Sequence, residues 1–150
     1  MTGQFAFFQT RSLGVLLAMA LSIAGTAVNA APGLMTVEAS VEFASTAFLE
    51  IELAGLNPGN QFDRLEVAGD LVLDGELRLE LLGNFFPEPE NAFVVISAES
   101  ISGTFSNEQQ GRITLADGSG TMSISYQPTT VTLSDFVSLT LLFRDGFENE

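Results

Sequence analysis

The sequence predicts an all-β domain, either a short β-solenoid (β-helix-like) or a β-sandwich, behind an N-terminal signal helix. Three observations carry this. Apolar and polar residues alternate with a period of two through residues 37–53 and again from Leu65 to Leu81, which puts one face in a core and one in water. Clusters of Gly, Asp, Asn and Pro separate these runs, as turns require. Beyond residue 31 no segment keeps helical periodicity over a window of about 11 residues.

The chain divides into residues 1–30, a signal peptide; 31–135, the all-β domain; and 136–150, a last strand with an acidic tail. Arg11 supplies the positive flank of the leader, and Leu13 to Ala24 its apolar stretch. Gly25 and Thr26 break that stretch, and Val28-Asn29-Ala30 places small residues before a cut between Ala30 and Ala31. About 12 apolar residues are too few to span a bilayer, which takes about 20. The later run from Val137 to Phe143 is shorter still, so no integral membrane anchor is expected. The expected destination is outside the cytoplasm: extracellular or cell-surface, with the periplasm as the alternative.

Elements follow in order. Val37, Ala39, Val41 and Phe43 alternate with Glu38, Ser40 and Glu42, and Phe48 to Leu53 alternates likewise. Residues 55–60 form a turn cluster. From Leu65 to Leu81 the pattern has a six-residue step: Leu65, Leu71, Leu77; Val67, Leu73, Leu79; Gly69, Gly75. That rhythm suits a solenoid coil or tight meander, and equally short hairpins turning at Asp74-Gly75. Residues 85–91 are a loop, Phe93 to Ile96 a strand apolar on both faces, and Ile101 to Phe105 a short strand with a Gly corner. Arg112–Leu115 and Thr121–Tyr126 form a hairpin around residues 117–120. Val131–Leu133 and Phe136–Phe143 are the last strands.

Composition excludes several functions. The chain of 150 residues has no Cys, His, Lys or Trp. Thiol nucleophiles, thiolate metal sites and a histidine- or lysine-activated serine are therefore impossible. Loss of Arg11 with the leader leaves four arginines against 19 acids; such a domain repels phosphate backbones, so nucleic acid is not a partner. Carboxylate chemistry remains, yet a glycosidase needs two acids across a cleft, and one Tyr offers little for stacking on sugar. No catalytic residue and no organic cofactor is expected. Asp70, Asp74 and Glu76, three acids within seven residues beside Gly turns, are the candidates for a metal, with Ca2+ the fitting ion; Asp117 sits in a second Gly-rich turn. Arg64 and Arg78 are expected to pair across strands with Glu66, Glu76 or Glu80. Phe85-Phe86 beside Pro87 could present an apolar patch.

Read together, Pro58-Gly59, Phe62-Asp63, Leu65, Val67, Gly69, Gly75, Leu77, the strand Phe93-Val94-Val95-Ile96 and the element Ile101-Ser102-Gly103-Thr104-Phe105 resemble a known β-rich module. It occurs in the C-terminal regions of autotransporter passengers and in PEP-CTERM-type exported Gram-negative proteins. The resemblance spans about residues 48–135. It implies solenoid or sandwich architecture, a surface location and no catalytic residues. The chain departs from it at Pro89-Glu90-Asn91-Ala92, where the family carries Gly-Asp. No C-terminal barrel fits in the remaining residues. Pro87-Glu88-Pro89 lies mid-chain with charge after it, unlike a PEP-CTERM tail. The ending Phe143-Arg144-Asp145-Gly146-Phe147-Glu148 resembles short Phe-x-Asp-Gly-Phe-Glu endings of exported proteins, a sorting tag; a frayed last strand explains it as well.

These readings converge on a secreted or cell-surface structural or adhesion-type module without catalytic activity. The alternative is a calcium- or glycan-binding extracellular module, with a cell-surface protein or glycan as partner. In a third reading, an end-piece of a larger passenger, the first coil exposes an open strand edge that favours self-association.

Overall fold

The computed structural model describes residues 32–139. The signal segment, the cleavage pair Ala30 and Ala31, and the segment Phe143–Glu148 lie outside the described residues. Every element between residues 34 and 138 is a strand: β1 (Leu34–Val37), β2 (Val41–Glu42), β3 (Phe48–Leu53), β4 (Arg64–Val67), β5 (Asp70–Leu73), β6 (Glu76–Leu81), β7 (Ala92–Ser97), β8 (Ser100–Gly103), β9 (Arg112–Thr114), β10 (Gly120–Tyr126) and β11 (Thr130–Ser138).

The six-residue step becomes intelligible here. Leu65 and Val67 sit on β4, Leu71 and Leu73 on β5, Leu77 and Leu79 on β6, and all six are buried. Each strand thus turns one pair of apolar side chains inward before the chain changes direction. Burying such a side chain contributes roughly 1.5–3 kcal/mol.

Consecutive strands in this region are not bonded to one another. Leu34 pairs with Arg64, Val41 with Leu71, Phe48 with Glu76, Leu65 with Ile96 and Asp70 with Ser100. Every one of these pairings is parallel, and partners lie about 30 residues apart. These pairings order the strands in three successive groups, termed windings below: β1–β3, β4–β6 and β7–β8. This overturns the hairpin alternative at Asp74-Gly75. Gly75 has φ +72°, and a Cβ there would run into the carbonyl oxygen of Ala47. It is a corner packed on the corner below, where an L side chain has neither the backbone angle nor the room.

The last third of the chain behaves differently. β7 continues into an antiparallel β11–β10–β9 meander that extends the six-stranded sheet. The expected hairpin of β9 and β10 is present. The expected break between residues 133 and 136 is not: β11 runs unbroken from Thr130 to Ser138. Ser134-Asp135 looks like a turn in sequence, yet Asp135 takes φ 54° inside the strand. Arg112 holds it, with Nη1 to Asp135 Oδ2 at 2.8 Å and Nη2 to Asp135 O at 2.6 Å. The strand bends there and continues.

One core runs through the windings, and among the described residues none of its fully buried members is polar or charged. Its aromatic rings meet edge to face: Phe62 on Phe93 at 5.2 Å, Phe85 on Phe93 at 6.2 Å, Phe43 on Phe105 at 6.1 Å, the arrangement ring quadrupoles favour. Phe93, Val95 and Ile96 of β7 are all buried.

Candidate functional site

The motif Phe62-Asp63 forms a clamp between windings. Phe62 is buried against Phe93, which aims the next residue outward at the rim of the sheet. Asp63 Oδ1 accepts the N–H of Gly33 at 2.7 Å, and its Oδ2 accepts the N–H of Glu52 at 2.7 Å. Its own N–H donates to Glu52 O at 3.0 Å. Partial burial pushes the Asp63 carboxyl above the usual carboxylate range, and the two backbone hydrogen bonds only temper that rise. The aspartate of the motif is thus a backbone tie.

Beside it lies the outer face of the β3–β6 sheet, which carries five charged side chains. Alternation places Phe48, Glu50 and Glu52 there from β3, and Glu76, Arg78 and Glu80 from β6. Register sets Phe48 opposite Glu76, Glu50 opposite Arg78 and Glu52 opposite Glu80. Arg78 folds over the Phe48 ring, 3.7 Å from its centroid, and bonds Glu76 Oε1 at 3.2 Å. That leaves Glu52 and Glu80 facing as like charges. Glu50 is raised in pKa by partial burial and by Glu80, against the opposing pull of Arg78. Glu52 is raised by partial burial, then by Asp63 and Glu80.

The calcium candidates do not come together. Asp70 opens β5 and Asp74 follows its last residue, about 13 Å away at the rise of a strand. Each carboxylate already serves a protein donor: Asp70 Oδ1 the Ser100 hydroxyl at 2.7 Å, Asp74 Oδ1 the N–H of Gly75 at 2.8 Å, Glu76 Oε1 the guanidinium of Arg78. Asp117 Oδ1 accepts the N–H of Ser119 at 2.9 Å, and hydrogen bonding to Ser119 lowers its pKa. Among the described residues, no group of three or more His, Cys, Asp or Glu is placed to hold a metal ion.

The arginines correct another expectation. Arg64 pairs with Glu66 at 3.1 Å and Arg78 with Glu76 at 3.2 Å, both along one strand and not across two. Residues two apart share a strand face, which lets each arginine reach the acid on its own strand. Phe86 is 63% exposed, with its ring 6.1 Å from that of buried Phe136; Phe85 packs inward. A shallow cleft of about 340 Å³ is lined by Thr36, Glu66, Val67, Ala68, Ser97 and Ala98. It offers one carboxylate where glycoside hydrolysis uses two.

Asn107 escapes sequence reading altogether. Its Oδ1 accepts the N–H of Leu77 and its Nδ2 donates to Leu77 O, both at 2.9 Å. The amide imitates a peptide group and occupies the free edge of β6. Ser106 N–H to Gly75 O at 2.6 Å and Ala116 N–H to Leu79 O at 2.8 Å continue the cover. A lone Asn in a polar stretch gives no local signal of this.

Comparison of the chain with protein-family models, with curated proteins and with solved structures gives no significant match. No helix of the described residues is long and apolar enough to cross a membrane.

Proposed function

We propose that this chain is an exported structural or adhesion-type surface module without catalytic activity, and that its body is a short β-solenoid. The observation that carries the solenoid reading is the shared step of about 30 residues in three separate parallel ladders. A sandwich built of hairpins has no reason to repeat that spacing on three sides. The final segment then acts as the polar-faced terminal unit that a stack of coils requires. Export rests on the leader at residues 1–30. The passive role rests on where the carboxylates stand: each calcium candidate is engaged by its own neighbours, and the cleft beside β4 has one acid. Among the described residues no converging set of ligands supports the calcium- or glycan-binding alternative.

Two measurements test this reading. Expressed with its leader in a Gram-negative host, the chain is expected outside the cytoplasm with Ala31 at its N-terminus. Recovery of uncut chain from the cytosol overturns the export reading. For the winding, the double variant Glu52→Cys with Glu80→Cys joins two in-register neighbours in a chain that has no cysteine of its own. Parallel neighbours lie within the Cα separation a disulfide tolerates, so oxidation is expected to give the intramolecular bridge. Failure to bridge under oxidant overturns the winding.

A further inference from the structure

The two ends of the winding differ. At one end each side carries at least some cover. The Ile101 N–H of β8 donates to Pro128 O at 2.8 Å, Asn107 and Ala116 cover β6, and β7 is continued by β11. At the other end β1, β2 and β3 are each the outermost strand of their ladder.

The edge of β3 is the longest and the most specific of the three. Parallel strands bond through alternate residues. Ala47 O accepts from Glu76 and Leu53 O from Leu82, so the odd-numbered residues face β6. The N–H and C=O of Phe48, Glu50 and Glu52 therefore point to the open side. Asp63 takes both groups of Glu52. Those of Phe48 and Glu50 have no partner among the described residues, which leaves a short template for one more strand.

Charge decides what fits. Around this edge stand Glu50 and Glu52 from β3, Glu76 and Glu80 from β6, and Asp63; Arg78 is the cation on this face and is engaged by Glu76 and the Phe48 ring. A second copy of the same edge would set Glu50 and Glu52 against their own counterparts, and like charges across a strand pair repel. We infer that the Phe48–Glu50 edge of β3 receives an extended cationic polypeptide segment, with Lys or Arg at every second residue, as an added strand. Its backbone closes the open groups of Phe48 and Glu50, and its cations face Glu50 and Glu52, the strand-addition mode of peptide recognition. This rests on the surface-module reading and gives that module a partner class.

The test is calorimetric titration of the exported chain at low salt with an acetylated, amidated Lys-Val-Lys-Val-Lys-Val peptide. A peptide of equal charge with proline in place of valine cannot pair as a strand and serves as the control. The first is expected to bind and the second to bind at least about 10-fold more weakly. Glu50→Pro removes one outward N–H without touching the β3–β6 ladder, a position where an edge strand tolerates proline. Beyond the loss of the Glu50 charge, it is expected to weaken binding by a further factor of about 3–10, the worth of one hydrogen bond. Glu50→Gln keeps the backbone and is expected to weaken binding through charge alone, with an unchanged melting curve. Equal affinity for both peptides, or no binding at millimolar peptide, overturns the inference. So does a dimer in the absence of peptide that Glu50→Pro abolishes, since a second copy then holds the edge. Any of these failures leaves leader cleavage and the Glu52–Glu80 bridge as separate readouts of the module itself.

Discussion

Replacing Asn107 by alanine removes the one side chain that completes the β6 edge. Two hydrogen bonds of 2.9 Å are lost, and Leu77, whose side chain is fully buried, keeps a backbone N–H and C=O with no protein partner. A hydrogen bond contributes about 0.5–1.5 kcal/mol net, and an unsatisfied buried group costs about 1–3. Asn107 is half-buried, so water replaces part of the loss, and the expected destabilisation is about 2 kcal/mol. With a urea slope of about 1–3 kcal/mol/M for a domain of this size, the unfolding midpoint falls by about 1 M at constant slope. Asn107→Asp sharpens the test. It keeps the acceptor for Leu77 N–H but sets a carboxylate oxygen against Leu77 O, so it is expected to be at least as damaging at pH 7 and to recover as the acid is protonated. A midpoint loss under about 0.2 M for Asn107→Ala, or an Asp variant as stable as the parent, would refute the view that this amide stands in for a strand.

Gly75→Ala forces an L residue into φ +72° against the Ala47 carbonyl; a loss of about 2 kcal/mol or more is expected in the same urea assay. Leu77→Ala opens a cavity in the second winding and is expected to cost about 2–5 kcal/mol, with intact far-ultraviolet circular dichroism at low temperature. Stability should also depend on pH. Glu50, Glu52 and Asp63 have folded-state pKa values raised above their usual ones. Their contribution is therefore full below the ordinary carboxylate range and is lost as pH climbs through the raised values, so the unfolding midpoint should fall as pH rises through and above that range. Asp117 and Asp135, lowered by Ser119 and Arg112, act in the opposite sense at lower pH. Glu52→Gln removes the charge facing Glu80 and is expected to flatten the decline; an unchanged slope would count against the like-charge pair.

Local chemistry made the strands legible. Alternation at Val37–Phe43, Phe48–Leu53 and Leu65–Leu81 says which residues face inward, because side chains of an extended chain alternate whatever they pair with. The six-residue step located each inward pair and the glycine corners. What each strand pairs with is a different question, and no local pattern answers it. Asp74-Gly75 reads as a hairpin turn until Gly75 is seen against a carbonyl of the winding below. The facing of Glu52 and Glu80, the reach of Asp63 to Gly33 and Glu52, and the amide of Asn107 on Leu77 all join residues 11 to 30 positions apart. The sequence by itself determined an all-β chain, its inward faces and its acidic surface, since these follow from residue type and a period of two. Only the tertiary structure decided that the strands stack in parallel and that the β3 edge is left open, because register is chosen by packing across whole windings.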